Sequence, residues 1–125
     1  MAHRVAKTRR GLSSWHVARY SYRRLSTLPA SDDGARRSVD ISVPDALPGV
    51  SLRRTVMQPG TEVPVGAESQ GRLFVTLSGR GVMMLDGDRI EVSANEVVYV
   101  PGDCPCGLQT LGSIPWVYLL AGPLK

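Results

Sequence analysis

Hydrophobic and polar positions divide this chain into two unlike parts. From Val39 onward, short runs of β-branched, aromatic and aliphatic residues are broken by turn formers roughly every 8–12 residues, the spacing of an all-β sandwich or barrel. They predict strands near Ser51–Met57, Arg72–Leu77, Val82–Leu85, Arg89–Val92, Val97–Val100, Gly107–Gln109 and Trp116–Ala121. Asp86-Gly87-Asp88 predicts a tight hairpin, because Asp-Gly accepts the positive φ values of a primed turn. Pro101-Gly102 ends the strand before it, since proline cannot donate to a ladder. No stretch after Val39 has helical period, and no internal repeat is present.

The part before Val39 reads differently. Leu12, Trp15, Ala18, Tyr22 and Leu25 recur at spacings of three and four, which predicts one apolar helix face. Residues 1–31 hold seven Arg or Lys, several hydroxyl residues and no acid. Arg-rich, Ser-rich, acid-poor and amphipathic is the composition of a mitochondrial presequence. A basic tail, or a start codon assigned too early, accounts for the same composition. A nucleic-acid arm built on Trp15, Tyr20 and Tyr22 is disfavoured, because no binding motif accompanies it. Pro29–Arg37 (PASDDGARR) reads as a linker of turn formers without periodicity. The expected division is therefore a basic extension over 1–38 and a barrel over 39–125, with the extension dispensable for folding. The expected location is the mitochondrial matrix if the source is eukaryotic, and otherwise the bacterial cytoplasm.

Charge sharpens this division. The net charge of +4 is the sum of +7 in residues 1–38 and −3 in residues 39–125. The basic character thus belongs to the extension, and the barrel is mildly acidic. At 125 residues there is room for one core. No apolar run approaches the roughly 18–20 residues of a membrane-spanning helix. Cys104 and Cys106 are too few for a disulfide framework. Two residues apart on one strand, their side chains would stand about 6–7 Å apart, beyond the Cβ separation of about 3.5–4.5 Å that a bridge tolerates. Both are read as thiols in a reducing compartment.

The most informative stretch is Gly60–Gly79, with Pro64 inside it and an LSGRG turn at its end. Its spacing resembles the first signature of the cupin superfamily, in which a Gly, two His, a Glu and a closing Gly stand at fixed intervals. Gly60 and Gly79 match both glycines, while the three metal-ligand slots hold Gly66, Glu68 and Arg72. The second signature is similar to the frame starting at Asn95. Pro101 is in place, Asp103 takes a glycine slot, Cys106 the histidine slot and Thr110 the asparagine slot. The resemblance covers about residues 50–121 and implies a single jelly-roll-like antiparallel β-barrel.

In that family the four ligands hold one divalent metal inside the barrel. Imidazole and carboxylate suit iron, manganese, zinc or nickel. Here glycine has no donor and arginine stays protonated. Only Glu68 and Cys106 remain as weak metal candidates, and catalytic zinc normally keeps three protein ligands. The only histidines, His3 and His16, lie in the extension. The expectation is a barrel without a metal or other cofactor, a divalent metal being the alternative. Glu68 and Arg72 are expected on neighbouring strands, buried and paired. With Cys104, Cys106, Phe74, Met83 and Trp116 they make up the expected ligand pocket, and no catalytic residue is identified. Two classes of function follow. One is a non-enzymatic cupin that binds a small anionic or polar ligand, or acts structurally as a homodimer or with a protein partner. The other is an isomerase, cyclase or dioxygenase working without a metal or with an unusual Glu68/Cys106 site. The missing ligands favour the first.

Overall fold

The structure is a computed structural model that describes residues 22–44 and 47–123. Leu12, Trp15, Ala18 and the two histidines fall outside the described residues. Leu25, the last member of the proposed helical stripe, sits in a single 3-10 turn, Leu25–Thr27, instead of a long helix. No α-helix occurs among the described residues.

Ten strands follow: β1 (Ala30–Asp32), β2 (Arg36–Asp40), β3 (Val50–Met57), β4 (Glu62–Gly66), β5 (Arg72–Ser78), β6 (Arg80–Leu85), β7 (Asp88–Val92), β8 (Val97–Val100), β9 (Cys106–Leu111) and β10 (Trp116–Pro123). They form two antiparallel sheets, of order β1-β2-β3-β10-β5-β8 and β4-β9-β6-β7. All seven strands predicted from the sequence are present, each within about two residues of its expected ends. Asp86 and Gly87 both take positive φ (52° and 89°) and join β6 to β7 as a two-residue turn. That is the conformation Asp-Gly favours.

Three strands are additions, and one corrects the sequence reading. The supposed linker contains β1 and the start of β2, and β2 pairs with β3 from Arg36↔Met57 to Asp40↔Arg53. The boundary expected at residue 38 therefore falls inside a strand. The hydrophobic pattern misses β2 because four of its five residues are polar, including the partly buried Arg36 and Ser38. β4 escapes notice because of Pro64, which is tolerated on the edge of its sheet.

Packing follows the alternation. Phe74 and Thr76 of β5, Trp116 and Tyr118 of β10, and Thr55 and Met57 of β3 turn inward and are buried. They meet Met83, Val92, Cys106 and Leu108 of the smaller sheet. Trp116 closes one end of this core. Its Nε1 donates to Thr76 Oγ1 at 3.1 Å, and its ring lies against Gly81, where any Cβ would collide with it.

Candidate functional site

The second end of the core is polar. β5 begins there, and its register (Ser78 opposite Val117, Leu73 opposite Ala121) sets Arg72 far from Trp116. Arg72 continues the inward row of Phe74 and Thr76. Its side chain is only 14% exposed, and its guanidinium carbon lies 5.7 Å from the centre of the Phe74 ring. Nη1 stands 3.9 Å from Glu68 Oε1, whereas Nε is buried with no hydrogen-bond partner. A buried guanidinium left in this condition has lost water without full compensation.

Glu68 departs from expectation. It lies in the loop between β4 and β5, not on a strand, and its side chain is 60% exposed. The expected mutually buried pair is therefore one-sided, a buried cation beside a carboxylate that water screens. What fixes Glu68 is its backbone, whose carbonyl accepts the Asp103 N–H at 2.6 Å. Gly102 packs so closely on Ser69 O that a Cβ would clash. The loops carrying the two signature motifs are thus latched together through main chain.

Cys106 opens β9, opposite Gly66 of β4 and Leu85 of β6. It is buried, and burial pushes its thiol up from the ordinary value, with the Arg72 guanidinium opposing the shift. A thiol held protonated is a poor nucleophile and a poor metal ligand. Cys104 precedes the strand, half-exposed at the core's edge, and both cysteines are free thiols, as expected. Gly66 adjoins an irregular stretch of the β4–β9 ladder, and a Cβ there would meet nothing. Space for a side chain exists at that slot, but the residue present supplies no donor. Among the described residues no three His, Cys, Asp or Glu side chains gather to hold a metal. With a glycine, an exposed carboxylate, a cation and a protonated thiol in the four slots, these residues do not fit the family's metal.

Of the other expected pocket residues, Phe74 touches Arg72, while Met83 and Trp116 are fully buried packing. The residue overlooked in the sequence is Tyr118, buried at the middle of the interior. Its ring contacts Phe74 (5.4 Å between centroids) and Trp116 (4.7 Å). Its hydroxyl donates to Met57 Sδ at 3.8 Å. Burial drives its pKa up to about 12, against the opposing pull of Arg36. The alternation Trp116, Tyr118, Leu120 was the available signal for it.

Comparison with known proteins agrees with this architecture. No family model matches the chain. An uncharacterised protein of Methanocaldococcus jannaschii is 30% identical over 60 residues, 42% of this chain and 48% of that protein, so the match spans about half the relative's length. Among solved structures, the polyketide cyclase RemF from Streptomyces resistomycificus is similar with a TM-score of 0.75 and 18% identity, over 85% of this chain and 80% of that one. A predicted oxalate decarboxylase from Thermotoga maritima gives 0.72 and 16%, over 82% and 97%. An RmlC-like cupin from Shewanella frigidimarina gives 0.72 and 13%, over 86% and 92%. Two facing antiparallel sheets, the retained signature spacing and these likenesses lead to one conclusion: the chain has the cupin fold.

Proposed function

We propose that this protein is a metal-free cupin that binds a small anion, with Arg72 as the anchor. The observation that carries the reading is the state of that guanidinium: largely enclosed, with a buried Nε lacking any hydrogen-bond partner, while the rest of the group lies beside Phe74 and the Cys106 thiol and makes a long contact to a solvent-screened carboxylate. A carboxylate or phosphate approaching side-on would accept from Nε and Nη together, the fork contact for which arginine is suited. The ligand would occupy the place in the barrel where the family holds its metal, and would supply the negative charge that the interior lacks. Phe74 would fix the guanidinium plane from beneath, and Cys106 would form part of the wall.

A cupin enzyme is the alternative. Structures similar to this chain include proteins described as a polyketide cyclase and a putative sugar phosphate isomerase. The adjacency of Arg72 and Cys106 keeps it open, while the raised thiol pKa counts against a thiolate nucleophile.

Thermal shift and calorimetric titration with acetate, oxalate and inorganic phosphate test the proposal. At least one anion should bind saturably, and binding at 100 times Kd adds about 2.7 kcal/mol of stability. Arg72→Met should abolish the effect and Glu68→Gln should retain it. Absence of any saturable anion effect, or an effect that persists in Arg72→Met, overturns the reading.

A further inference from the structure

A sheet packed on one side only alternates apolar residues toward the core with polar residues toward water. The smaller sheet keeps to this on its outer side, where Glu62, Gln109 and Glu91 share one row with Val82 and Arg89 bridges to Glu91 at 2.8 Å. The larger sheet does not. With Phe74, Thr76 and Tyr118 turned to the core, the outward positions of β8, β5 and β10 form two apolar rows. The register sets Val97 beside Val75 and Leu119, and Tyr99 beside Leu73 and Ala121. Val97 and Tyr99 are 58% and 64% exposed. Arg54, opposite Leu119 on β3, closes the first row. A contiguous exposed apolar patch of this kind marks a contact surface.

The chain carries a segment that matches it. Leu12, Trp15 and Ala18 recur at helical spacing, and Arg9 and Arg10 fall off their stripe. This segment joins the barrel at the end of the Tyr99 row. Arg23 Nη2 donates to Ile41 O at 3.0 Å, Ile41 N donates to Leu52 O at 2.9 Å, and Leu52 stands opposite Ala121. A helix over residues 12–21 would be about 15 Å long. The three strand spacings from β3 to β8 come to about 14 Å.

We infer that residues 12–21 dock as an amphipathic helix on the outer face of the larger sheet in the same chain, with Leu12 and Trp15 against the two apolar rows. The helix would bury two apolar surfaces at once and leave Arg9 and Arg10 in water. Two copies packed face to face would cover the sheet but leave Leu12 and Trp15 bare. A tethered segment also competes at an effective concentration of roughly millimolar, above that of a separate molecule in dilute solution. The face lies on the opposite side of the sheet from Arg72 and shares no residue with that pocket.

Fluorescence of the full chain tests this, because Trp15 and Trp116 are its only tryptophans and Trp116 is buried. Subtracting the spectrum of Trp15→Phe isolates Trp15. Trp15 should emit as a shielded indole and resist acrylamide, and light scattering should give a monomer at every concentration. Val97→Lys with Tyr99→Lys changes two exposed positions outside the core, so the Trp116 signal should stay as it is. Trp15 quenching should rise severalfold in that variant. Trp15 quenched in the natural chain as readily as in urea overturns the inference, as does shielding that survives the double substitution. Shielding that grows with protein concentration alongside dimer formation also overturns it, and assigns the face to a second copy.

Discussion

Arg72 shows how far one side chain's setting changes an expectation. A buried pair loses about 3–5 kcal/mol when one partner is removed, but at 3.9 Å from a largely exposed carboxylate the pair falls in the range of about 0–1 kcal/mol. Glu68→Gln should therefore leave the urea midpoint nearly unchanged. Arg72→Met keeps an apolar stem over Phe74 and removes an unsatisfied donor, so it should be as stable as the natural protein or more so. A loss above about 2 kcal/mol would show that Arg72 is fully partnered in solution. Titration is the second residue-scale test. The folded protein holds the Tyr118 proton more tightly than the unfolded chain does, with a pKa of about 12 against about 10. Its contribution is therefore present below pH 10 and lost between about 10 and 12. Burial of the Cys106 thiol adds a loss of the same sign beginning at lower pH. Stability measured by denaturation from pH 8 to 11.5 should decline, and Tyr118→Phe should remove the upper part of the decline. An unchanged slope in Tyr118→Phe would count against a buried phenol. Glu68 and Arg72 were legible as motif positions because spacing alone marks a slot. Their exposures were not, because a loop and a strand can carry the same spacing.

Among the elements, the β1–β2 hairpin and the two motif loops matter most. The sequence pattern leads to the expectation that residues before Val39 are dispensable, whereas β2 supplies the outer partner of β3 and sets Arg36 beside Tyr118. A chain starting at Val39 would lose β1 and most of β2 and leave the edge of β3 unpaired. It should melt well below the full chain, and equal melting temperatures would show that the hairpin adds nothing to the barrel. Strands with an apolar inward row, such as β3, β5 and β10, could be read from alternation. β2 could not, because a single Val39 among Arg36, Arg37, Ser38 and Asp40 looks the same as a linker. The motif loops show a different kind of legibility. Gly60 and Gly79 hold φ of 79° and 73°, and the substituted glycine slots, Asn95 and Asp103, hold 68° and 62°. Asn and Asp tolerate this left-handed region better than other side chains do. The family's backbone path therefore persists where its ligands are gone. Asn95→Gly should be neutral or stabilising, and Asn95→Ala should cost about 1 kcal/mol in thermal denaturation; equal stability of the two variants would mean that the positive φ is relaxed in solution.

For the whole molecule, the proposed Arg72 site makes stability respond to anions and not to metals. Metal-stripped protein should keep its melting temperature, and added zinc, iron or manganese should shift it negligibly. A large shift that disappears in Cys106→Ala would instead point to a Glu68/Cys106 site and to the enzyme alternative. The fold as a whole was legible because two spaced motifs and seven alternating runs point the same way. Its polar interior was less so, because Arg36 and Tyr118 are brought together only by strand order. That order has a consequence for how the barrel is made. β10 is the last strand among the described residues, yet it lies between β3 and β5 in the larger sheet. As the polypeptide leaves the ribosome, β3 and β5 emerge with facing edges that have no partner, and they must wait for Trp116–Pro123 to be synthesised. Such long-range closure is slow, and waiting edges are where chains associate wrongly. The nascent barrel should thus depend most on chaperones in the interval before Trp116–Pro123 appears.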